Sequence, residues 1–280
     1  MIAYSKTLGE FNQDITANRI EEEVVKKMGI GVGESVRRSF RRSLPAISNA
    51  LRNCNLPDDV EVALEYRVPL TDRRVDFMIA GADENGKDHL IICELKQWEK
   101  VTHTDMSDVV MVGDRMRVHP SWQAYTYGST LANFNEYLEK GDVEIDMCAF
   151  LHDYKRDFID ELTDPVYSEG IAMAKPFISD QFLELSAFVS KYIRTKSKNN
   201  ILFEMENGRI RPSKLLVDSV ASMLSGNDEY ELIDKQRIVY SNLLKEVKHA
   251  CASSEHEKQV FIIRGGAGTG KSLIAIKLLS

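Results

Sequence analysis

Three strand-like segments between residues 60 and 96 constrain the fold of this chain most. They cover 60–68, 74–80 and 90–96, and each is a short run rich in β-branched and other apolar residues. The stretch GADENGKD separates the second segment from the third, and its Asn85-Gly86 pair is typical of tight hairpins. The sequence therefore predicts neighbouring strands joined by a hairpin in this part of the chain.

Helical patterns surround these strands. Apolar residues recur at three- and four-residue spacing over 36–51, which predicts a helix that Pro45 should kink or split. Two short strand candidates flank Asn207-Gly208. The remaining predicted elements are helices over 120–138 and 182–193, a strand over 144–151, and helices near 213–225 and 234–250. This mixture predicts an α/β protein.

The composition of the 280 residues is that of a globular protein, with 43% hydrophobic and 28% charged residues. No apolar run approaches the roughly 20 residues that span a bilayer, and the N-terminus lacks the apolar core of a signal peptide. The four cysteines form no CxxC pair, which favours a reducing, cytoplasmic location. The net charge of -7 argues against non-specific coating of nucleic acid but is compatible with a local basic groove.

A cluster of charged residues is predicted where the second and third strands meet. Strand alternation places Glu94 and Lys96 on one face of the third strand, and Asp76 points away from the apolar face of the second. A short hairpin connection would bring the three together. Carboxylate oxygens are the ligands that Mg²⁺ prefers, and a lysine beside the metal can orient or activate a water molecule. The alternative is an edge strand on which Glu94 and Lys96 pair in solvent.

A glycine-rich loop at 265–272 predicts phosphate binding. Its sequence, GGAGTGKS, fits the pattern G-x-x-x-x-G-K-[ST], follows the apolar strand candidate 260–263 and opens a helical segment. The glycines Gly265, Gly268 and Gly270 would let backbone N–H groups surround the phosphate oxygens. Lys271 would reach the β- and γ-phosphates of ATP, and the Ser272 hydroxyl would bind Mg²⁺.

The charged cluster, followed by Gln123 and Tyr127 on one predicted helix face, resembles a known superfamily. Asp76, Glu94-Leu-Lys96 and Gln123-Ala-Tyr-Thr-Tyr127 are similar to the motifs of the PD-(D/E)xK nucleases, in particular of their RecB-like branch with a QxxxY motif. The resemblance implies an α-β-β-β-α-β core in which Asp76 and Glu94 hold Mg²⁺ or Mn²⁺ and Lys96 lies beside the attacking water. It also implies that Gln123 and Tyr127 steady the site and contact the nucleic-acid strand.

The superfamily usually has one more acidic residue, on its first helix. The resemblance implies Glu34 for this position, with Glu22, Glu23 and Glu65 as alternatives.

A second resemblance concerns the stretch before the glycine-rich loop. ELIDKQ at 231–236 is similar to the Q motif of superfamily 1 helicases, which implies that Gln236 reads the adenine of ATP. An ordinary surface glutamine near a helix start fits the same spacing equally well.

Together the two halves resemble the bacterial Schlafen-like proteins with DNA/RNA helicase domains. The stretches that carry this resemblance are RRVDFMIAGADENGKD, CELKQWEK, HPSWQAY, NGRIRPSKLLVDSVASML and RGGAGTGKS. It implies a nuclease-like domain over 1–195, a hairpin and helical connector over 196–255, and the first strand, loop and helix of a P-loop NTPase over 256–280. Since the later helicase motifs are absent, the chain is expected to be the front part of a longer protein. ATPase or helicase activity is expected only in that longer form.

The function that these observations favour is metal-dependent cleavage of DNA or RNA phosphodiester bonds, coupled in the longer protein to an ATP-driven motor. The resemblance adds a role in bacterial defence. The alternative is a catalytically inactive module that binds nucleic acid or docks a partner, attached to an ATP-binding helicase domain.

Overall fold

The computed structural model describes residues 1–28, 33–69, 71, 73–210, 231–252, 259–266 and 269–279, apart from the side chains at positions 28, 34–36, 38 and 39. The helix predicted near 213–225 and the loop glycine Gly268 lie outside these residues. Within them the chain is a mixed α/β protein. No helix in the described ranges is long and apolar enough to cross a membrane.

A mixed sheet of six strands forms the centre of the fold, in the order β1-β2-β3-β4-β7-β8. The first four strands pair antiparallel, whereas β4, β7 and β8 pair in parallel. A separate hairpin consists of β5 and β6. The strands are β1 (Tyr4–Thr7), β2 (Glu61–Arg67), β3 (Arg74–Ala82), β4 (Asp88–Lys96), β5 (Val109–Val112), β6 (Arg115–Val118), β7 (Val143–Leu151) and β8 (Lys175–Ile178).

Helices cover both faces of the sheet. Short 3-10 turns at Arg52–Cys54, Arg156–Phe158 and Pro165–Tyr167 accompany them. The α-helices are α1 (Leu8–Thr16), α2 (Ile20–Met28), α3 (Glu34–Leu51), α4 (Pro120–Phe134), α5 (Glu136–Glu139), α6 (Ile159–Leu162), α7 (Ser168–Met173), α8 (Phe182–Tyr192), α9 (Ile201–Asn207), α10 (Lys235–Ala252) and α11 (Lys271–Leu279).

Strand alternation divides the core into two layers. On one face Ile91 and Cys93 of β4 pack among residues of α1, α3 and α8. On the other face Leu90 and Ile92 pack with Tyr127 of α4 and with residues of α9. Because helices bury both faces, the central strands are almost continuously apolar. The charged residues at the end of β4 stand out against this background.

The helix predicted over 120–138 divides at Asn135. Its side-chain oxygen accepts hydrogen bonds from the N–H groups of Tyr137 and Leu138, so Asn135 ends α4 and caps α5. Pro45, by contrast, lies inside α3 without dividing it. A proline removes only its own donor, and the core contacts of Leu44 and Ile47 on either side hold the helix together.

The hairpin predicted around Asn207-Gly208 is wrong. Residues 201–207 form α9, because Ile201, Leu202 and Met205 recur at helical spacing and all three are buried. Gly208 follows the last helical residue, and Ile210 makes only an isolated bridge with Asn135. A short apolar run cannot be assigned to helix or strand from its pattern alone, and burial on one side decides the outcome here.

The predicted strand at 260–263 does not form either. Residues 259–266 are irregular, and Val260 and Ile262 are 80% and 74% exposed. An apolar run of this kind needs neighbouring strands to satisfy its backbone groups. Among the described residues, none pairs with it.

Candidate functional site

Asp76 of β3 and Glu94 of β4 lie opposite each other on the face of the sheet that α4 covers. Phe77 pairs with Cys93 in the antiparallel register, so the next pair along is Asp76 and Glu94. The regular pairing of the two strands ends just before this position. The Oδ2 atom of Asp76 instead accepts a hydrogen bond of 2.9 Å from the Leu95 N–H. The two carboxylates therefore meet at one end of the two central strands, where the sequence analysis places them.

Lys96 joins this pair. Its Nζ atom donates to Oε1 of Glu94 at 2.5 Å and lies 5.3 Å from the centroid of the Trp98 ring. Glu94 is 2% exposed, and its other oxygen, Oε2, is buried without a hydrogen-bond partner. An unpartnered, buried carboxylate oxygen is costly, because it has lost its hydration without gaining a donor.

The electrostatics of the three groups depend on one another. Burial raises the pKa of Asp76, although Lys96 and the Leu95 N–H stabilise its charged form. Burial, together with the charge of Asp76, raises the pKa of Glu94 well above its ordinary value. Burial also opposes the charge on Lys96, but Glu94 and Asp76 outweigh it and raise the pKa of the lysine. Two crowded carboxylates share one cation, so a second cation would relieve their repulsion.

Gln123 and Tyr127 face the cluster from α4. The Gln123 amide nitrogen donates to the Tyr127 hydroxyl at 2.9 Å. Tyr127 is 2% exposed, and burial, reinforced by the negative charge of Glu94, raises the pKa of its hydroxyl. Helix α4 begins at Pro120, because His119 caps it through a hydrogen bond from the Ser121 N–H. The structure thus brings together five of the six predicted catalytic residues.

The sixth, Glu34, is the first residue of α3, and its side chain lies outside the described residues. Among the three alternatives, Glu22 is exposed and Glu23 forms an ion pair with Lys6 at 3.2 Å. Glu65 behaves differently. It lies between Leu64 and Tyr66, whose partners Phe77 and Val75 flank Asp76 in the sequence. Burial and the Asp76 charge raise its pKa to about 7, although an ion pair with Arg74 favours its charged form.

A row of three carboxylates therefore crosses three neighbouring strands. A divalent cation fits Asp76 and Glu94, since both are hard oxygen ligands and Oε2 of Glu94 lacks a partner. Across the described residues, no group of three or more His, Cys, Asp or Glu side chains is arranged to hold a metal ion. Two carboxylates suit a cation such as Mg²⁺, because it typically keeps several waters as its other ligands.

Two residues that sequence reasoning missed close the site from outside. The Asp234 carboxylate forms an ion pair with Arg73 at 2.7 Å, and its charge also acts on Asp76, Glu94 and Lys96. Asp234 belongs to the stretch just before α10, far from β3 and β4 in the sequence. No local pattern could have placed it here, because only the packing of α10 brings it to the site.

The glycine-rich loop is described in part. The Lys271 ammonium donates to the carbonyl oxygens of Gly265 and Gly266 at 3.0 and 2.7 Å, and α11 begins at this lysine. Gly270 has a φ of +80°, a conformation that side chains other than glycine rarely adopt. Ser272 is exposed.

Gln236 lies against the same loop. Its amide nitrogen donates to the carbonyl oxygen of Thr269 at 3.2 Å, and its amide oxygen accepts from the Ile233 N–H at 3.1 Å. Gln236 thus connects the start of α10 with the loop.

Comparison of the chain with known proteins gives no match. No protein-family model matches the chain, no curated protein matches it, and no solved structure matches it.

Proposed function

We propose that this chain is a metal-dependent nuclease that cleaves phosphodiester bonds of DNA or RNA at the Asp76–Glu94–Lys96 cluster. The observation that carries the proposal is the unpartnered, buried Oε2 atom of Glu94 beside a second carboxylate and a lysine. The order of elements supports it, since α3, β2, β3, β4, α4 and β7 follow the α-β-β-β-α-β order of the PD-(D/E)xK nucleases, with the β5–β6 hairpin inserted before α4 and the short α5 after it.

Each residue has a defined task in this proposal. Asp76 and Glu94 would hold the divalent cation, which when bound polarises a phosphate oxygen and lowers the pKa of a water. The Leu95 N–H fixes the Asp76 carboxylate. Lys96, held by Glu94, stabilises negative charge that develops on the phosphate. Tyr127 fixes the Gln123 side chain, which together with Lys96 lines a cavity beside the cluster.

The experiment is cleavage of labelled single- and double-stranded DNA and RNA with Mg²⁺, Mn²⁺ or EDTA. Glu94→Gln should lower the cleavage rate at least about a hundredfold while the protein stays folded, because it removes a charged metal ligand. The matched control is Glu144→Gln, since Glu144 is an exposed carboxylate on the neighbouring β7 that pairs with Lys87.

A second readout separates binding of the metal from chemistry. Titration calorimetry with Mn²⁺ should show binding to the wild type and to Glu144→Gln, and loss of that binding in Glu94→Gln. Unchanged cleavage by a folded Glu94→Gln variant would contradict the assignment, and so would a wild type that cleaves none of the four substrates.

The alternative function is a non-catalytic module that binds nucleic acid. One contact favours it: the Lys96 ammonium is already bonded to Glu94, so part of the charge in the cluster is neutralised within the protein. This module would bind labelled strands with the same affinity in Mg²⁺ and in EDTA and leave them intact.

The glycine-rich loop supports a further part of the proposal, an ATP site. Lys271 now bonds two loop carbonyls, and it would exchange them for phosphate oxygens when a nucleotide binds. Retention of a fluorescent ATP analogue by the wild type, and its loss in Lys271→Ala, tests this assignment.

A further inference from the structure

We propose that Arg73 is a binding residue for a phosphodiester group of the substrate, and that Asp234 occupies the place of that group in the free protein. This inference rests on the proposed function, because it assigns to the same site a contact for its polyanionic substrate.

A cavity of about 420 Å³ next to the carboxylates is the first observation. Four of its lining residues are cationic, namely Arg73, Lys96, Arg117 and Lys235, and one, Asp234, is acidic. The Lys96 charge is bonded to Glu94, but Arg73, Arg117 and Lys235 still outnumber Asp234. A polyanion that entered the cavity would therefore meet an excess of positive charge, with the aromatic ring of Trp98 beside it. Because the whole chain carries a negative net charge, a polyanion should be attracted to this cavity more than to the rest of the surface.

The second observation is how Asp234 fits this cavity. Its carboxylate lies 2.7 Å from the Nε atom of Arg73, and the two side chains are 16% and 42% exposed. One carboxylate and one phosphodiester each present a single negative charge on two oxygens, and arginine binds both in the same way. The aspartate also acts electrostatically on Lys96, so it neutralises part of the cavity as a phosphate would.

Asp234 is not needed to hold α10 in place. Arg237 forms ion pairs with Glu231 at 2.6 Å and Asp108 at 3.4 Å, and Ser241 donates to Asp108 at 2.6 Å. These residues line a different cavity from the one that Asp234 lines. Loss of the Asp234 charge should therefore free Arg73 without detaching α10.

The test is the binding of fluorescein-labelled single-stranded DNA and RNA, measured by fluorescence anisotropy in EDTA at several salt concentrations. Asp234→Asn should lower Kd about five- to tenfold and make the dependence of log K on log salt steeper by about one phosphate contact. Arg73→Gln should weaken binding and make the same dependence shallower by about one contact. Asparagine tolerates the positive φ of +43° at this position, so Asp234→Asn should fold.

Asp105→Asn is the matched control. It removes one negative charge and one ion pair to α10, that between Lys245 and Asp105 at 2.7 Å, but it leaves the cavity unchanged. It should bind like the wild type. The inference is overturned if Asp234→Asn binds no tighter than the wild type, if Asp105→Asn gains as much, or if Arg73→Gln binds normally.

Failure of the proposed function gives a different result. If no substrate is cleaved in Mg²⁺ but Asp234→Asn still binds more tightly in EDTA and Arg73→Gln more weakly, the phosphate contact holds and only the catalytic assignment falls. If cleavage occurs but Asp234→Asn leaves Kd unchanged, the catalytic assignment holds and the role of Asp234 falls.

Discussion

At the scale of single residues, the candidate site depends on side chains that are held in costly states. His119 is one of them. It is fully buried, its Nε2–H donates to the Leu162 carbonyl at 2.9 Å, and its Nδ1 accepts from the Ser121 N–H at 3.2 Å. Acceptance at Nδ1 needs the neutral ring, and burial lowers the pKa of His119 to about 4, although the bond to the Leu162 carbonyl favours the charged form. The start of the helix that bears Gln123 therefore depends on an unprotonated histidine.

This dependence predicts how stability changes with pH. The unfolded histidine takes up a proton below its ordinary pKa of 6.5, whereas the folded one does not until about pH 4. The stabilisation is therefore complete above pH 6.5 and is lost as the pH falls towards 4. At about 1.4 kcal/mol per pKa unit, the wild type should lose about 2–3 kcal/mol more than His119→Asn between pH 7 and pH 4.5.

Urea unfolding at the two pH values measures this difference. Asparagine keeps a cap for α4 but does not titrate, so its variant isolates the contribution of the ring. Parallel losses in the two proteins would show that His119 does not carry the effect.

At the scale of elements, α4 packs closely against β7 at Gly128, the residue that follows Tyr127. A Cβ atom at Gly128 would lie 2.2 Å from Sδ and 2.8 Å from Cγ of Met147. A side chain there would force the Met147 side chain out of its present position between α4 and β7. Gly128 thus has a packing role that outweighs the low helix propensity of glycine.

A double-mutant cycle tests this contact. Gly128→Ala should lower the free energy of unfolding by about 1–2 kcal/mol, because overpacking exceeds the gain in helix propensity. In a Met147→Ala background the same change should be neutral or stabilising by up to about 1 kcal/mol, because the clash is gone. Urea unfolding of the four proteins gives the coupling energy, and simple additivity of the two changes would contradict the packing argument.

Sequence pattern predicted the elements that contain the site better than those around it. The strands β2, β3 and β4 are apolar runs joined by short connections, and the hairpin between β3 and β4 fixes the register that aligns Asp76 with Glu94. The strands β1 and β8 were not predicted, since each has four residues and pairs with a strand distant in the sequence. The hairpin of β5 and β6 and the short helices over 156–173 were also missed, because segments this short carry almost no periodicity.

At the scale of the whole molecule, α10 connects the parts that the sequence analysis treated as separate. Near its start lie Asp234 at the cavity and Gln236 at the glycine-rich loop, and Arg237 stacks on Trp122 at 4.3 Å. The contacts of Asp234 and Arg237 could not be foreseen, since both depend on tertiary packing, whereas the resemblance to the Q motif had implied a place for Gln236 near the loop. Helix α10 is anchored by a buried network of charges, in which Arg237 neutralises Asp108 and Glu231.

This anchor predicts the dynamics of α10. Arg237→Ala would leave two buried carboxylates without their cation, which costs about 3–5 kcal/mol for a buried pair. Amide hydrogen exchange over 235–252 should therefore become faster, while the amides of β3 and β4 keep their protection. Asp105→Asn, which breaks only an exposed pair, should leave both regions unchanged. Equal protection of α10 in Arg237→Ala and the wild type would show that another contact holds the helix.

The mixed sheet also sets the order in which the site assembles. A five-residue connection at 83–87 joins β3 and β4, and hairpins of this kind form in about 1–10 μs. The parallel pairing of β4 with β7 must wait for residues 97–142 to close a much longer loop, which costs more chain entropy and takes longer. We therefore expect Asp76 and Glu94 to meet early, while water still surrounds them, and to lose that water only when α4 and β7 close over them. The cost of dehydrating the carboxylates thus belongs to the late, slow step of folding.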